Sequence, residues 1–287
     1  NDIIVIFAFQ RYCLGCKVDM GRVVACMNWQ LLFSFASKQV LLGLCFDGIE
    51  RLGKSSLMIE AEYDRLESAD AWMGKAQQIR RQNMKVNVVA GKLFSMLRND
   101  GLRCCVLKGQ GNALMYPKPY SRTPGDIDVW VKASREQLVE YASKKFKLDD
   151  DIRFHHLETS MDGVPVKLHI FPCVLNNPIH NAFVEVVQAN ADLQCSNVIS
   201  LPDGAGDIAV PTTAFNVVYQ LSHLYHHFFD EGIAMRQIID YYFVLLKADG
   251  KNLFNKTSLF RELKYLGLWK FAGAVMYVLH EVLGLPE

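Results

Sequence analysis

Neither charge dominates this chain, no apolar run is long enough to cross a membrane, and no repeat or low-complexity tract is present. Lysine and arginine number 31 against 30 aspartate and glutamate. So even a balance gives no global pull toward DNA, RNA or an anionic bilayer, and nucleic-acid binding would need a local patch. No stretch reaches the ~20 apolar residues of a membrane helix. The apolar start, Ile3 to Phe9, has neither a basic region before it nor a small-residue cleavage site after it. It reads as a core helix or strand rather than a targeting segment. The chain begins at Asn1 and not at Met, which leaves room for an upstream piece.

The eight cysteines show no disulfide or zinc framework. Cys13-x-x-Cys16 has no second pair at zinc-finger spacing and no histidine pair after it, so packing in a helix is its better reading. A chain of 287 residues, 51% apolar, can bury a sizeable core, or two or three small ones, without staples. Reduced thiols and a cytoplasmic location are expected.

What is present changes texture twice. Residues 1–99 carry helical spacing: Trp29, Leu32, Phe33, Phe35 and Ala36, then Leu41, Leu42 and Leu44. From 57 to 97 one stripe holds Ala61, Leu66, Ala69 and Trp72, and a second holds Val86, Val89, Leu93 and Leu97. Two long amphipathic helices are expected there, the second closed by Asn99-Asp100-Gly101. Residues 100–175 then show strand patterns at 104–107, 127–131, 154–159 and 164–170. A Gly- and Pro-rich loop with a short helix at 113–116 separates the first two, and Met161-Asp162-Gly163 turns between the last two. Ser134 to Gln137 forms a capping-box pattern that opens a helix to about 145. Asn176-Asn177-Pro178 and Pro202-Asp203-Gly204 mark irregular connections. Residues 176–287 end in helical spacing again, from Phe215 to Leu279. The expected architecture is α+β: a small mixed core at 100–175 between helical segments at 1–99 and 176–287.

Asp126-Ile127-Asp128 carries the chemistry. Two aspartates separated by one residue on a strand point the same way, and like charges so close repel unless a cation lies between them. Hard divalent cations take such carboxylates together with substrate phosphates. Lys108-Gly109 ends the preceding strand: the glycine allows close backbone approach to a phosphate and the lysine offers a point charge. Arg122, four residues before Asp126, is placed to clamp a triphosphate. Against this reading stands a plain one, a solvated carboxylate edge on a helical scaffold.

Other residues carry weaker expectations. His223, His226 and His227 have metal-like helical spacing but show no fitting carboxylate, so packed imidazoles are the better reading. His155 and His156 must face opposite sides of a strand. His169 shares a face with Lys167 and is placed to line the cleft. Arg236 and Asp240, at i and i+4, form a helix-surface ion pair on the plain reading. On the functional one Arg236 reaches the nucleotide.

The stretch from Leu107-Lys-Gly-Gln-Gly-Asn to Arg122-Thr-Pro-Gly-Asp-Ile-Asp resembles the uncharacterised bacterial nucleotidyltransferase family of the polymerase-β-like superfamily. Leu221 to Gly232, Met235 to Asp240, and Trp29 with Lys38-Gln39 resemble its helical parts, over roughly 29–287. The resemblance implies a small mixed sheet flanked by helices, and Mg²⁺- (or Mn²⁺-) dependent transfer of NMP from an NTP. Asp126 and Asp128 would hold one or two metal ions, and the Lys108-Gly109 turn would face the triphosphate. The acceptor is expected to be a small molecule or protein rather than a long nucleic acid. One departure stands out: where a third carboxylate is expected, before Leu168-His169, this chain has Lys167. Three readings follow. Lys167 grips a phosphate, or Glu158 or Asp162 supplies the missing acid, or transfer is lost and binding of a nucleotide or partner remains.

Overall fold

The computed structural model describes residues 2–54, 69–148, 155–173, 191–249 and 256–286. Ala61, Leu66, Phe154 and Asn176-Asn177-Pro178, which figure among the expectations, lie outside them.

Four helices open the chain: α1 (Asp2–Cys13), α2 (Met20–Ala25), α3 (Trp29–Lys38) and α4 (Leu42–Lys54). α5 (Ala69–Asn99) is a single helix of 31 residues, about 46 Å long at 1.5 Å per residue. It closes as expected, with Gly101 at φ 82° and the Leu102 amide reaching back to the Leu97 carbonyl. β1 (Arg103–Leu107) leads straight into α6 (Gly109–Ala113), four residues earlier than the loop composition suggests. β2 (Ile127–Lys132), α7 (Arg135–Lys145), β3 (His156–Met161) and β4 (Val164–His169) complete the middle region. Ser134 and Gln137 form the expected capping box. Asp162 and Gly163, both at positive φ, make the expected two-residue hairpin turn.

The sheet order is β1-β2-β4-β3. β1 is antiparallel to β2, β2 parallel to β4, and β4 antiparallel to β3, which makes the sheet mixed. Alternation divides its faces. Cys104, Val106, Ile127, Val129, Val131, Val166 and Leu168 pack on Val86, Leu93 and Leu97 of α5. The opposite face carries Cys105, Leu107 and Trp130 against Phe215 and Tyr219, and on this face lie Asp128, Lys167 and His169.

After α8 (Ala191–Ser196), a small hairpin of β5 (Val198–Ser200) and β6 (Asp207–Ala209) appears that sequence patterning did not show. The helices α9 (Thr213–Asp230), α10 (Met235–Asp249), α11 (Lys256–Tyr265) and α12 (Trp269–Tyr277) follow, then one π-helical turn, Val278–Val282. Phe9, Leu32, Leu44 and Leu52 from the N-terminal helices share one core with Leu221, Ile239, Val244 and Leu279 from the C-terminal ones. Packing therefore crosses the sequence boundaries at 99 and 175. α5 joins the two cores, giving Trp72 to the helical one and its last three turns to the sheet. Among the described residues no helix is long and apolar enough to cross a membrane, and all eight cysteines are free thiols.

Gly91 marks a tight contact. A Cβ there would overlap the Ala205 carbonyl oxygen on the β5–β6 turn. Gly91→Ala is therefore expected to destabilise by about 1–3 kcal/mol, although alanine is the better helix former. An unchanged urea midpoint would refute this.

Candidate active site

The site begins with a strained turn. Lys108 has φ 45° and ψ −140°, and Gly109 follows at φ 49°. A non-glycine residue in such a conformation costs on the order of 1–3 kcal/mol and persists only where its surroundings enforce it. The turn swings the chain out of β1 and leaves the Lys108 side chain over the sheet. Its Nζ lies 3.1 Å from Asp128 Oδ2 and donates to His223 Nε2 at 2.6 Å.

Asp128 is only 2% exposed. Its other oxygen, Oδ1, faces His169 Nε2 at 2.8 Å. Burial pushes the Asp128 carboxyl up, but the Lys108 charge and the His169 contact outweigh it and hold the group well below the usual carboxylate range. Its partner across the β2–β4 register is Lys167. The Lys167 ammonium turns instead to Asp126, with Nζ 3.0 Å from Oδ2. Their side chains are 34% and 30% exposed. Burial opposes the lysine's charge, yet Asp126, Asp128 and Glu158 raise its pKa above the ordinary value. The two aspartates thus do share a side, and two lysines relieve their repulsion.

Arg122 differs from its expected role. It is 4% exposed, and its Nε and Nη2 donate to the two oxygens of Asp240 on α10, both at 2.8 Å. The Tyr116 hydroxyl donates to the same carboxylate at 2.8 Å. The Asp240 charge raises the guanidinium's pKa against the burial that lowers it. The main task of Arg122 is to tie the loop before Asp126 to α10; only its Nη1, buried and without a partner, is left to face a ligand. The expected Arg236–Asp240 helix-surface pair is replaced by this buried one. Arg236 instead donates through Nη1 to the Thr123 carbonyl at 2.9 Å, and its Nε is also buried without a partner. Burial and the nearby Arg122 charge lower its pKa, although it stays a cation.

The supports come from distant parts of the chain. Asn83 of α5 donates to the Tyr120 and Arg122 carbonyls at 3.1 and 2.8 Å, which fixes the loop. Gln39, between α3 and α4, accepts the Met235 amide at 2.9 Å through its side chain and the Arg236 amide at 3.3 Å through its carbonyl. That contact satisfies donors at the start of α10 and sets the position of Arg236.

A cavity of about 140 Å³ is lined by Lys108, Gly109, Asp126, Asp128, Lys167 and Arg236, among others. α9 contributes His223 and His227 to it. Burial, then Lys108 and His227, pushes the His223 pKa well below the ordinary value, so a neutral imidazole accepts from Lys108. His227 Nε2 is 3.1 Å from His223 Nε2. Its Nδ1 is 2.8 Å from Glu231, while His226 Nδ1 is 2.9 Å from Asp230. The carboxylates missing from the sequence reading of this histidine group are thus present one turn on. Even so, no three His, Cys, Asp or Glu residues gather to hold a metal among the described residues. Sequence reasoning missed His223 as a site residue; its signal was the stripe Tyr219, His223, His227 on one helix face.

Neither proposed stand-in supplies a third acid. Glu158 sits across from Lys167 on β3 and faces His156 Nε2 at 2.9 Å. Asp162 is on the hairpin turn, 3.1 Å from Lys92 Nζ. The donor set present, Asp126 and Asp128, fits one divalent cation whose shell substrate phosphates complete.

Fold and site together define an α+β protein with an aspartate pair in a cation-lined cleft. Residues 25–284 match the family of uncharacterised nucleotidyltransferases, and the chain belongs to that family. A solved structure, that of an antigenic nucleotidyltransferase-like protein from Paracoccidioides brasiliensis, is similar at 16% identity. Its TM-score is 0.43, over 69% of this chain and 92% of that one. No curated protein matches the chain in sequence.

Proposed function

We propose that this protein transfers an NMP from an NTP to an acceptor, with the NTP entering as its Mg²⁺ complex. The observation that carries the reading is the convergence of Asp126, Asp128, Lys108, Lys167 and Arg236 on one cavity. When bound, the metal would supply charge neutralisation at the phosphates and activation of the attacking group. Asp126 and Asp128 would hold it. Lys108 and Lys167, now paired with those carboxylates, would pass to phosphate oxygens as the metal takes their place. Arg236 and the free Nη1 of Arg122 would grip the far end of the triphosphate. Positioning and electrostatics, set in advance by the buried pairs, would supply most of the rate.

The small cavity and even charge favour a small-molecule or protein acceptor over a long nucleic acid, and eight free thiols suit a reducing cytoplasm. Incubation with α-phosphate-labelled NTPs and cell extract tests the proposal. The expected result is label retained on an acceptor; saturable nucleotide binding without labelling would overturn it. That second outcome is the alternative reading, binding without transfer, and Lys167 is the residue that favours it.

A further inference from the structure

We infer that the site takes a single divalent cation, admitted only with the nucleotide, and that Lys167 supplies a tethered ammonium in place of the carboxylate a second cation would need. The inference rests on the nucleotide-transfer reading and adds the number and order of arrival of its ions. Lys167 is the register partner of Asp128 and binds Asp126 at 3.0 Å, while Lys108 binds Asp128 at 3.1 Å. Each carboxylate of the pair therefore already has a tethered positive charge. Around the cavity, Lys108, Arg122, Lys167 and Arg236 face the three carboxylates of Asp126, Asp128 and Asp240. The lining is thus already positive, and a bare dication adds charge where there is an excess. A metal–triphosphate brings anionic oxygens for the displaced ammoniums, so charge exchange replaces charge accumulation. Lysine has three donors and no acceptor, so it cannot join a metal's shell. Its position fills the space beside Asp126 and Asp128 from which a third carboxylate would hold a second ion.

Mn²⁺ titration followed by loss of the free-ion EPR signal separates the possibilities. The wild type is expected to leave Mn²⁺ alone unbound at submillimolar concentration, and to bind about one per chain once α,β-methylene NTPs are added. Lys167→Glu is expected to bind Mn²⁺ without nucleotide at least tenfold more tightly than the wild type. Lys167→Met, which removes charge without adding a ligand, should gain far less; thermal melts of both variants check folding. Two Mn²⁺ per wild-type chain with nucleotide, or wild-type binding of Mn²⁺ alone as tight as that of Lys167→Glu, would overturn the inference. Failure of every analogue to bind would sink the donor reading instead, and the nucleotide-free comparison would still decide this one.

Discussion

Asp128→Asn is expected to lower label transfer by about 10³-fold, equal to about 4 kcal/mol of transition-state stabilisation, and to weaken the fold as well. Asp126→Asn should match the first loss but not the second. The difference follows from burial. Asp128 is enclosed between Lys108 and His169, and its removal leaves the lysine without its anion, at a cost of about 3 kcal/mol. Asp126 and Lys167 are each about a third exposed, so their pair contributes under about 1 kcal/mol. Acidity adds a second signature. The folded Asp128 carboxyl lies below its unfolded value of about 4. Its contribution is therefore present above that pH and lost as pH falls beneath it. The stability gap between wild type and Asp128→Asn, read from urea midpoints, should narrow below about pH 4. A gap that stays constant down to pH 2, or full transfer by either variant, contradicts this account.

Arg122→Ala should cost about 3–5 kcal/mol, the largest stability effect expected of a single substitution in the cleft. Both partners of the Arg122–Asp240 pair are almost fully enclosed, and the bonds are bidentate. Truncating the arginine leaves a buried carboxylate with the Tyr116 hydroxyl as its remaining partner. The paired replacement Arg122→Met with Asp240→Leu should recover most of the loss, because it leaves no orphaned charge. If the single variant unfolds at the wild-type denaturant concentration, the pair is not structural. If the double variant is no better than the single, the cost lies in packing rather than charge.

Local signals were legible in the sequence where a few neighbouring residues decide the outcome. The Asp162-Gly163 turn, the Ser134 capping box, the glycine after α5 and the four central strands all belong to this class. The aspartate pair was legible as a spacing only: Asp126 lies one residue before β2 rather than on it, and the loop leading into the strand brings it to the same cavity as Asp128. What escaped were pairings between distant segments. Arg122 and Asp240 are 118 residues apart, and Lys108 and His223 are 115 apart. Nothing in either local pattern distinguishes them from surface or core residues. The β5–β6 hairpin escaped for another reason: three-residue strands give no measurable alternation. The early start of α6 depends on Lys108 adopting a backbone conformation that its residue type disfavours, which only the assembled site enforces.

The shared core of the first four helices and the last ones also bears on synthesis. Leu32 and Leu44 share a core with Leu221, Ile239 and Leu279, which emerge from the ribosome on the order of 200 residues later. At about 5–20 residues per second, that is an interval of about 10–40 s. During it, nascent α1–α4 carry an uncovered apolar surface while the sheet is still being made. A holding chaperone would have its natural binding site on those helices, and a ribosome stalled before α9 would release an aggregation-prone fragment.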